Sequence, residues 1–142
     1  MTTRGQISAA EEYTHGHTAL MRAALDGNTE KVKALIHQGA DINQRDDNGR
    51  TALMFAVINT HYETMKVLLD YGADVNARSN KGGTALMGAA SAGDLRIAQA
   101  LLDKGADIHA KLRETNESAV TLAESHGHAE IARLLRQQAE NK

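Results

Sequence analysis

Apolar residues come along this chain in short bursts at helical spacing, and a glycine closes most of them. Leu20, Ala23 and Ala24 fall on one face and predict a helix over about residues 19–26, stopped at Gly27, where a left-handed turn is cheapest as glycine. Val32, Leu35 and Ile36 predict a second helix over about residues 29–38, stopped in the same way at Gly39. A polar stretch then leads to Asp46-Asp47-Asn48-Gly49, residue types that tolerate turn geometry. The plan returns with Leu53, Ala56, Met65, Leu68 and Leu69, and again with Leu86, Ala89, Ala90, Ile97, Leu101 and Leu102. Each first helix of these three pairs opens on a threonine, Thr18, Thr51 or Thr84, whose hydroxyl can accept from the free backbone N–H groups of the first turn.

The recurrence is strictly periodic. Thr-Ala-Leu-Met begins at Thr18, Thr51 and Thr84, and Gly-Ala-Asp begins at Gly39, Gly72 and Gly105, so both markers advance in steps of 33 residues. Two unrelated tripeptide-scale markers locked to one step define a repeat protein. Units run over about residues 15–45, 46–78, 79–111 and 112–139. The fourth is degenerate: Ser118-Ala119-Val120-Thr121 replaces Thr-Ala-Leu-Met, and it and Gly127 come 34 residues after their counterparts, so one residue is inserted around Leu112–Glu117. Arg136 stands where the third unit has Leu102, and the polar run behind it predicts that the stack stops there. Ahead of the repeats, Ser8-Ala9-Ala10-Glu11 has the spacing of a capping box, so residues 1–14 are expected to form either a short cap helix over about residues 9–13 or a tail. One local conflict is visible. Thr60 stands where the flanking units carry Gly27 and Gly93, and a threonine resists positive φ, so Asn59 is expected to take the left-handed conformation or the turn to be reshaped.

Asp46-Asp47-Asn48-Gly49-Arg50-Thr51-Ala52-Leu53-Met54, Leu68-Leu69 and Gly72-Ala73-Asp74-Val75-Asn76 together resemble the ankyrin repeat, over about residues 16–138. The resemblance implies an all-α fold: an ankyrin-repeat solenoid of stacked helix–turn–helix units with protruding turns, first helices lining a concave face and second helices a convex one. Two departures are systematic. Ala19, Ala52 and Ala85 replace the family proline, and Met21, Met54 and Met87 replace the family histidine, which removes a tie between neighbouring turns. Alanine is a good helix former, so the first change leaves the helix intact; methionine offers packing in place of the tie.

Composition narrows the function more than the fold. Aromatics make up 3% of the 142 residues, so Ala and Leu carry the apolar load, which suits closely packed short helices better than a sheet. A net charge of -2 argues against nucleic acid, which requires a basic face. There is no cysteine and no apolar run of membrane-spanning length, and no secretory signal follows Met1, so a cytoplasmic chain is expected. His15-Gly16-His17 and His126-Gly127-His128 invite a metal, but they lie at opposite ends of the stack and no carboxylate completes either set. No nucleophile elbow, phosphate loop or zincin motif is present, and the once-per-unit Asp41, Asp74 and Asp107 mark architecture, each placed to bond its own turn backbone. Met21, Met54 and Met87 are likewise assigned to packing. Neither catalysis, a cofactor nor a metal is therefore expected.

Function should sit where units differ on a fixed scaffold. The resemblance puts partner contacts on the turn tips, here His17, Asp47, Asn48, Arg50, Asn80 and Lys81, and along the first helices, here Arg22, Phe55, Ile58, Asn59 and Ser91. Phe55 is the only phenylalanine; Arg22 and Gly88 hold the equivalent spots. It is either an anchor for a partner or a filler above small neighbours. Tyr62 and Tyr71 fall on the second-helix side. The expectation is a non-catalytic module, monomeric alone, that binds another protein; a self-associating structural part is the alternative, and a histidine-based metal protein or enzyme the remote one.

Overall fold

A computed structural model of the chain describes residues 16–141. The expected cap helix over residues 9–13 and the pair member His15 lie outside the described residues. Eight helices follow one another: α1 Ala19–Asp26, α2 Thr29–His37, α3 Ala52–Ile58, α4 Tyr62–Asp70, α5 Ala85–Ala92, α6 Leu95–Asp103, α7 Ala119–Ser125 and α8 Ala129–Glu140. They form four antiparallel pairs. First helices stack in the order α1, α3, α5, α7, and second helices α2, α4, α6, α8 stack behind them.

The small residues explain the close stacking of the first helices. Ala23, Ala56, Ala89 and Ala123 form one column through all four units, and every one of them is buried. Leu20, Leu53 and Leu86 fill the layer beside it, while Met65, Leu68, Ile97, Leu101, Ile131 and Leu135 carry the core between second helices. Met21 and Met87 are buried in this layer, as packing residues at helix starts should be.

Caps follow the sequence with one exception. Thr18, Thr84 and Ser118 accept from the N3 amides of their helices. Thr51 has the same extended backbone but makes no capping bond, and its buried hydroxyl has no partner. At the other end of the second helices, Asp41, Asp74 and Asp107 each accept from the amide two residues on, as their repetition implies. Asn43 and Asn76 extend this into a ladder: their side-chain oxygens accept from the amides of Asp74 and Asp107 in the next unit, at 2.8 and 2.7 Å.

The second turn corrects an expectation. Asn59 has an ordinary φ of -96°, and Thr60 itself takes the left-handed conformation at φ 56°. The turn is not reshaped. Thr60 N–H donates to Val57 O and His61 N–H to Ala56 O, the same pair of bonds that Gly27 and Asn28 make to Ala24 and Ala23. The stack therefore imposes the conformation and the side chain yields. What sits above explains why it can. A Cβ on Gly27 would meet the His61 ring at 2.5 Å, and one on Gly93 would run into the His128 ring, whereas above Thr60 the N-cap residue of the next unit is the smaller Asp94. Thr60→Gly should relieve strain of about 1–2 kcal/mol for a left-handed L-residue, offset in part by the greater freedom of glycine in the unfolded chain. A net gain of about 0.5–1 kcal/mol is expected in urea unfolding followed by circular dichroism; a less stable variant would refute the strain.

The inserted residue of the fourth unit is absorbed in its turn. Asp46 N–H donates to Arg50 O and Ser79 N–H to Gly83 O, closing four-residue steps, whereas Leu112 N–H reaches Glu117 O one residue further on. Asn116, at φ 62°, takes the place of Gly49 and Gly82. Asparagine is the non-glycine residue best suited to that region.

Candidate functional site

Neighbouring turns are tied together despite the missing family histidine, by other residues. Asn80 donates its backbone N–H to Asn48 O and its side-chain amide to Asp47 O, both at 2.9 Å. Arg113 repeats the step, its N–H donating to Lys81 O and its Nε to Asn80 O. Arg45 donates to Arg78 O at 2.6 Å, and Arg78 in turn donates to Lys111 O and to Gly82 O. The turn edge is a laced, rigid row.

At the second turn, Asp46 organises a cluster that holds several of the candidate residues. Its side chain is 0% exposed. One oxygen accepts from the backbone N–H groups of Asn48 and Arg50, at 2.9 and 2.8 Å. The other accepts from Arg50 Nε at 3.0 Å and lies 3.3 Å from His17 Nε2. Burial pushes the Asp46 carboxyl up, but the Arg50 amide, guanidinium and charge together with the Asn48 amide outweigh it and hold the group below the ordinary carboxylate range. Arg50 lies over the Phe55 ring, 4.8 Å from its centroid, and the His17 ring meets it edge-on at 5.5 Å. Phe55 is consequently only 7% exposed. It fills space beneath His17 and Arg50, so the imidazole and the guanidinium are what this corner presents at the surface.

The same column tells a different story one unit on. Arg22, Phe55, Gly88 and Leu122 hold equivalent positions on α1, α3, α5 and α7. Where Phe55 closes the surface, Gly88 leaves it open. A hollow of about 420 Å³ lies there, lined by Ile58, Met87, Gly88, Ser91, Leu112 and Leu122 among others. Ile58, at 56% exposure, is the most exposed large apolar residue among those described. Sequence reasoning picked out Ile58 and Ser91 as candidates, named Gly88 only as the counterpart of Phe55, and did not include Leu112 or Leu122. The available signal was the variation down the column from Phe55: a glycine inside a helix beneath two large apolar neighbours is a vacancy. A larger hollow, of about 510 Å³, lies on the last pair, but it is rimmed by Arg133, Arg136, Glu140 and Glu124, with Arg136 paired to Glu124.

The remaining candidates are divided between tie and surface. Asn59 is exposed, and its side-chain amide donates to Leu25 O of the first pair at 2.9 Å. Ser91 lends its carbonyl to His128 Nε2 at 3.2 Å while lining the hollow. Arg22, Asp47, Asn48 and Lys81 are exposed. The histidines have structural work. His61 and His128 start second helices without capping them and reach back to Leu25 O and Ser91 O of the preceding pairs. His126 stacks parallel to His128 with centroids 6.4 Å apart, its Nδ1 on Leu122 O at 2.9 Å. Among the described residues no group of three or more His, Cys, Asp or Glu could hold a metal ion, and no helix is long and apolar enough to cross a membrane.

A family model described as ankyrin repeats (3 copies) matches residues 5–79 and 77–142. The chain belongs to the ankyrin repeat family. No curated protein gives a match. Ankyrin repeats are generally protein–protein interaction modules, and in this one the apolar opening at Gly88 and the laced turn edge lie side by side, since Gly83 and Leu112 of that edge line the hollow.

Proposed function

We propose that this ankyrin solenoid is a non-catalytic binding module, monomeric on its own, that holds a protein partner on its concave face and turn tips. The observation that carries the reading is the hollow over Gly88, open to solvent and walled by Ile58, Leu112 and Leu122. An apolar side chain seated there would be desolvated on a surface already rigid, and pre-organisation of this kind keeps the ordering cost of binding low. His17 and Arg50, fixed on Phe55 and Asp46, would supply polar contacts at the neighbouring corner.

Filling the hollow tests this. A Cβ on Gly88 would stand 3.4 Å from Val57 Cγ1, ordinary contact, and the residue has no positive φ. Replacing a glycine inside α5 also raises helix propensity by about 0.5–1 kcal/mol. Gly88→Leu should therefore unfold no earlier than the parent chain yet lose a partner that the parent captures, while Lys66→Ala on the second-helix side keeps it. Photo-crosslinkers placed at Ser91 and at Lys66 provide the map. Crosslinking from Lys66 alone, or capture unaffected by Gly88→Leu, would overturn the concave-face reading.

A further inference from the structure

The hollow is bordered by cations that form no ion pair among the described residues. Arg45, Arg78, Lys81, Lys111 and Arg113 lie along the turn edge, and none of them has a carboxylate within ion-pair distance among the described residues. The arginines are held in place by their bonds to carbonyls of neighbouring turns, which fix the guanidinium groups without neutralising them. Lys81 and Lys111 are exposed, and neither ammonium makes a hydrogen bond or ion pair. Four carboxylates fall within the turn segments that carry these cations, residues 45–50, 78–83 and 111–118. Asp46 is buried and held by Arg50, which leaves Asp47, Glu114 and Glu117 against the five cations. A chain of net charge -2 thus presents a locally positive edge, and the apolar hollow opens on it through Gly83 and Leu112, the latter lying between Lys111 and Arg113 in the chain.

Resting on the concave-face reading above, we propose that the segment bound there is an acidic stretch of polypeptide that seats one apolar side chain over Gly88 and lays its carboxylates along Arg78, Lys81, Lys111 and Arg113. The charge and the vacancy divide the task. Complementary charge steers encounter and selects against basic partners, and the buried side chain sets the register and the lifetime of the complex. The row suits a polypeptide better than a nucleic acid, because no exposed aromatic platform accompanies the cations among the residues lining the hollow.

Selection of random 12-residue displayed peptides on the full chain tests the proposal. Enriched peptides should carry several Asp or Glu around a single Leu, Ile, Met or Phe. A selected peptide should bind about tenfold more weakly to Lys81→Glu/Lys111→Glu, and at raised salt, as expected when unscreened complementary charge is reversed. Since neither lysine side chain has a partner, thermal unfolding serves as the control that the double variant folds. Selection repeated on Gly88→Leu should retain the acidic preference and lose the apolar one. Neutral or basic enrichment, or affinity indifferent to the two lysines, would overturn the acidic segment while leaving a concave-face partner in place. No enrichment at all overturns it too, and so does a fluorescent single-stranded oligonucleotide that binds as tightly as the best peptide. If instead the enriched peptides crosslink only from Lys66, the concave-face reading itself fails.

Discussion

Gly27→Ala is expected to destabilise the protein by about 3 kcal/mol, and Gly127→Ala by only about 1 kcal/mol, though both glycines have the same backbone conformation. Gly27 has φ 71° and Gly127 φ 78°, so an alanine at either carries the left-handed cost, about 1–2 kcal/mol before context softens it. The difference lies above them. A Cβ on Gly127 would meet nothing within 4 Å, whereas one on Gly27 would enter the face of the His61 ring, at 2.5 Å from Nδ1 and 2.7 Å from Cγ. That ring is not free to leave, because its Nε2 is bonded to Leu25 O at 2.9 Å and it begins α4. Displacing it breaks the bond and loosens the seam between the first and second pairs, which adds about 1–2 kcal/mol. Urea unfolding of the two single variants, of His61→Ala and of the Gly27→Ala/His61→Ala pair completes the measurement. A coupling of about 1 kcal/mol or more should favour the double variant. Equal costs for Gly27→Ala and Gly127→Ala would show that φ alone sets the requirement and that the ring contact is incidental.

The histidine–glycine seam also shows how far this fold could be read from residues. Helices, their glycine stops and the alanine column follow from a period that one chain displays on its own, because every unit repeats the same local solution. The aspartates after Gly-Ala were legible for the same reason, as a residue repeated with the scaffold must serve the scaffold. Thr60 was misread, since propensity argues within one turn, while the conformation there is fixed by the bonds of Thr60 and His61 to Val57 and Ala56, which the stack holds in register. The candidate site was partly legible. The tips and first-helix positions could be placed by unit number, but burial of Phe55 depends on Arg50 folding over it from its own turn and on His17 reaching it from the unit before. Gly88 is visible in the sequence as the counterpart of Phe55 but not as part of a site, because an absent side chain carries no chemistry until its neighbours in space are known. The turn-to-turn ties were obscured by substitution: Asn80, Arg78 and Arg113 perform them with different side chains from the histidine whose loss left them in doubt.

Asp46→Ala should cost about 3 kcal/mol, because it removes a buried carboxylate and leaves its donors behind. The amides of Asn48 and Arg50 and the Arg50 guanidinium all point at a side chain that is 0% exposed, and His17 stands beside it. Asp46→Asn keeps an acceptor for the amides and loses the charge, so a smaller cost of about 1–2 kcal/mol is expected. The two variants also separate on pH. The folded carboxyl titrates below its unfolded value of about 3.9, so the stability it contributes is fully present above that value and is lost as pH falls through the folded one. The gap in unfolding free energy between the parent chain and Asp46→Asn should be constant from pH 7 to about 5 and shrink toward pH 3. A gap that does not change with pH would mean that the charge of Asp46 contributes nothing and that only its shape does. The consequence for binding follows from the same geometry. Asp46 holds Arg50 over Phe55 and stands against His17, so its loss frees a polar corner beside the proposed docking surface. Asp46→Asn should therefore weaken a captured partner less than Gly88→Leu does, because it loosens a polar rim and leaves the apolar seat intact.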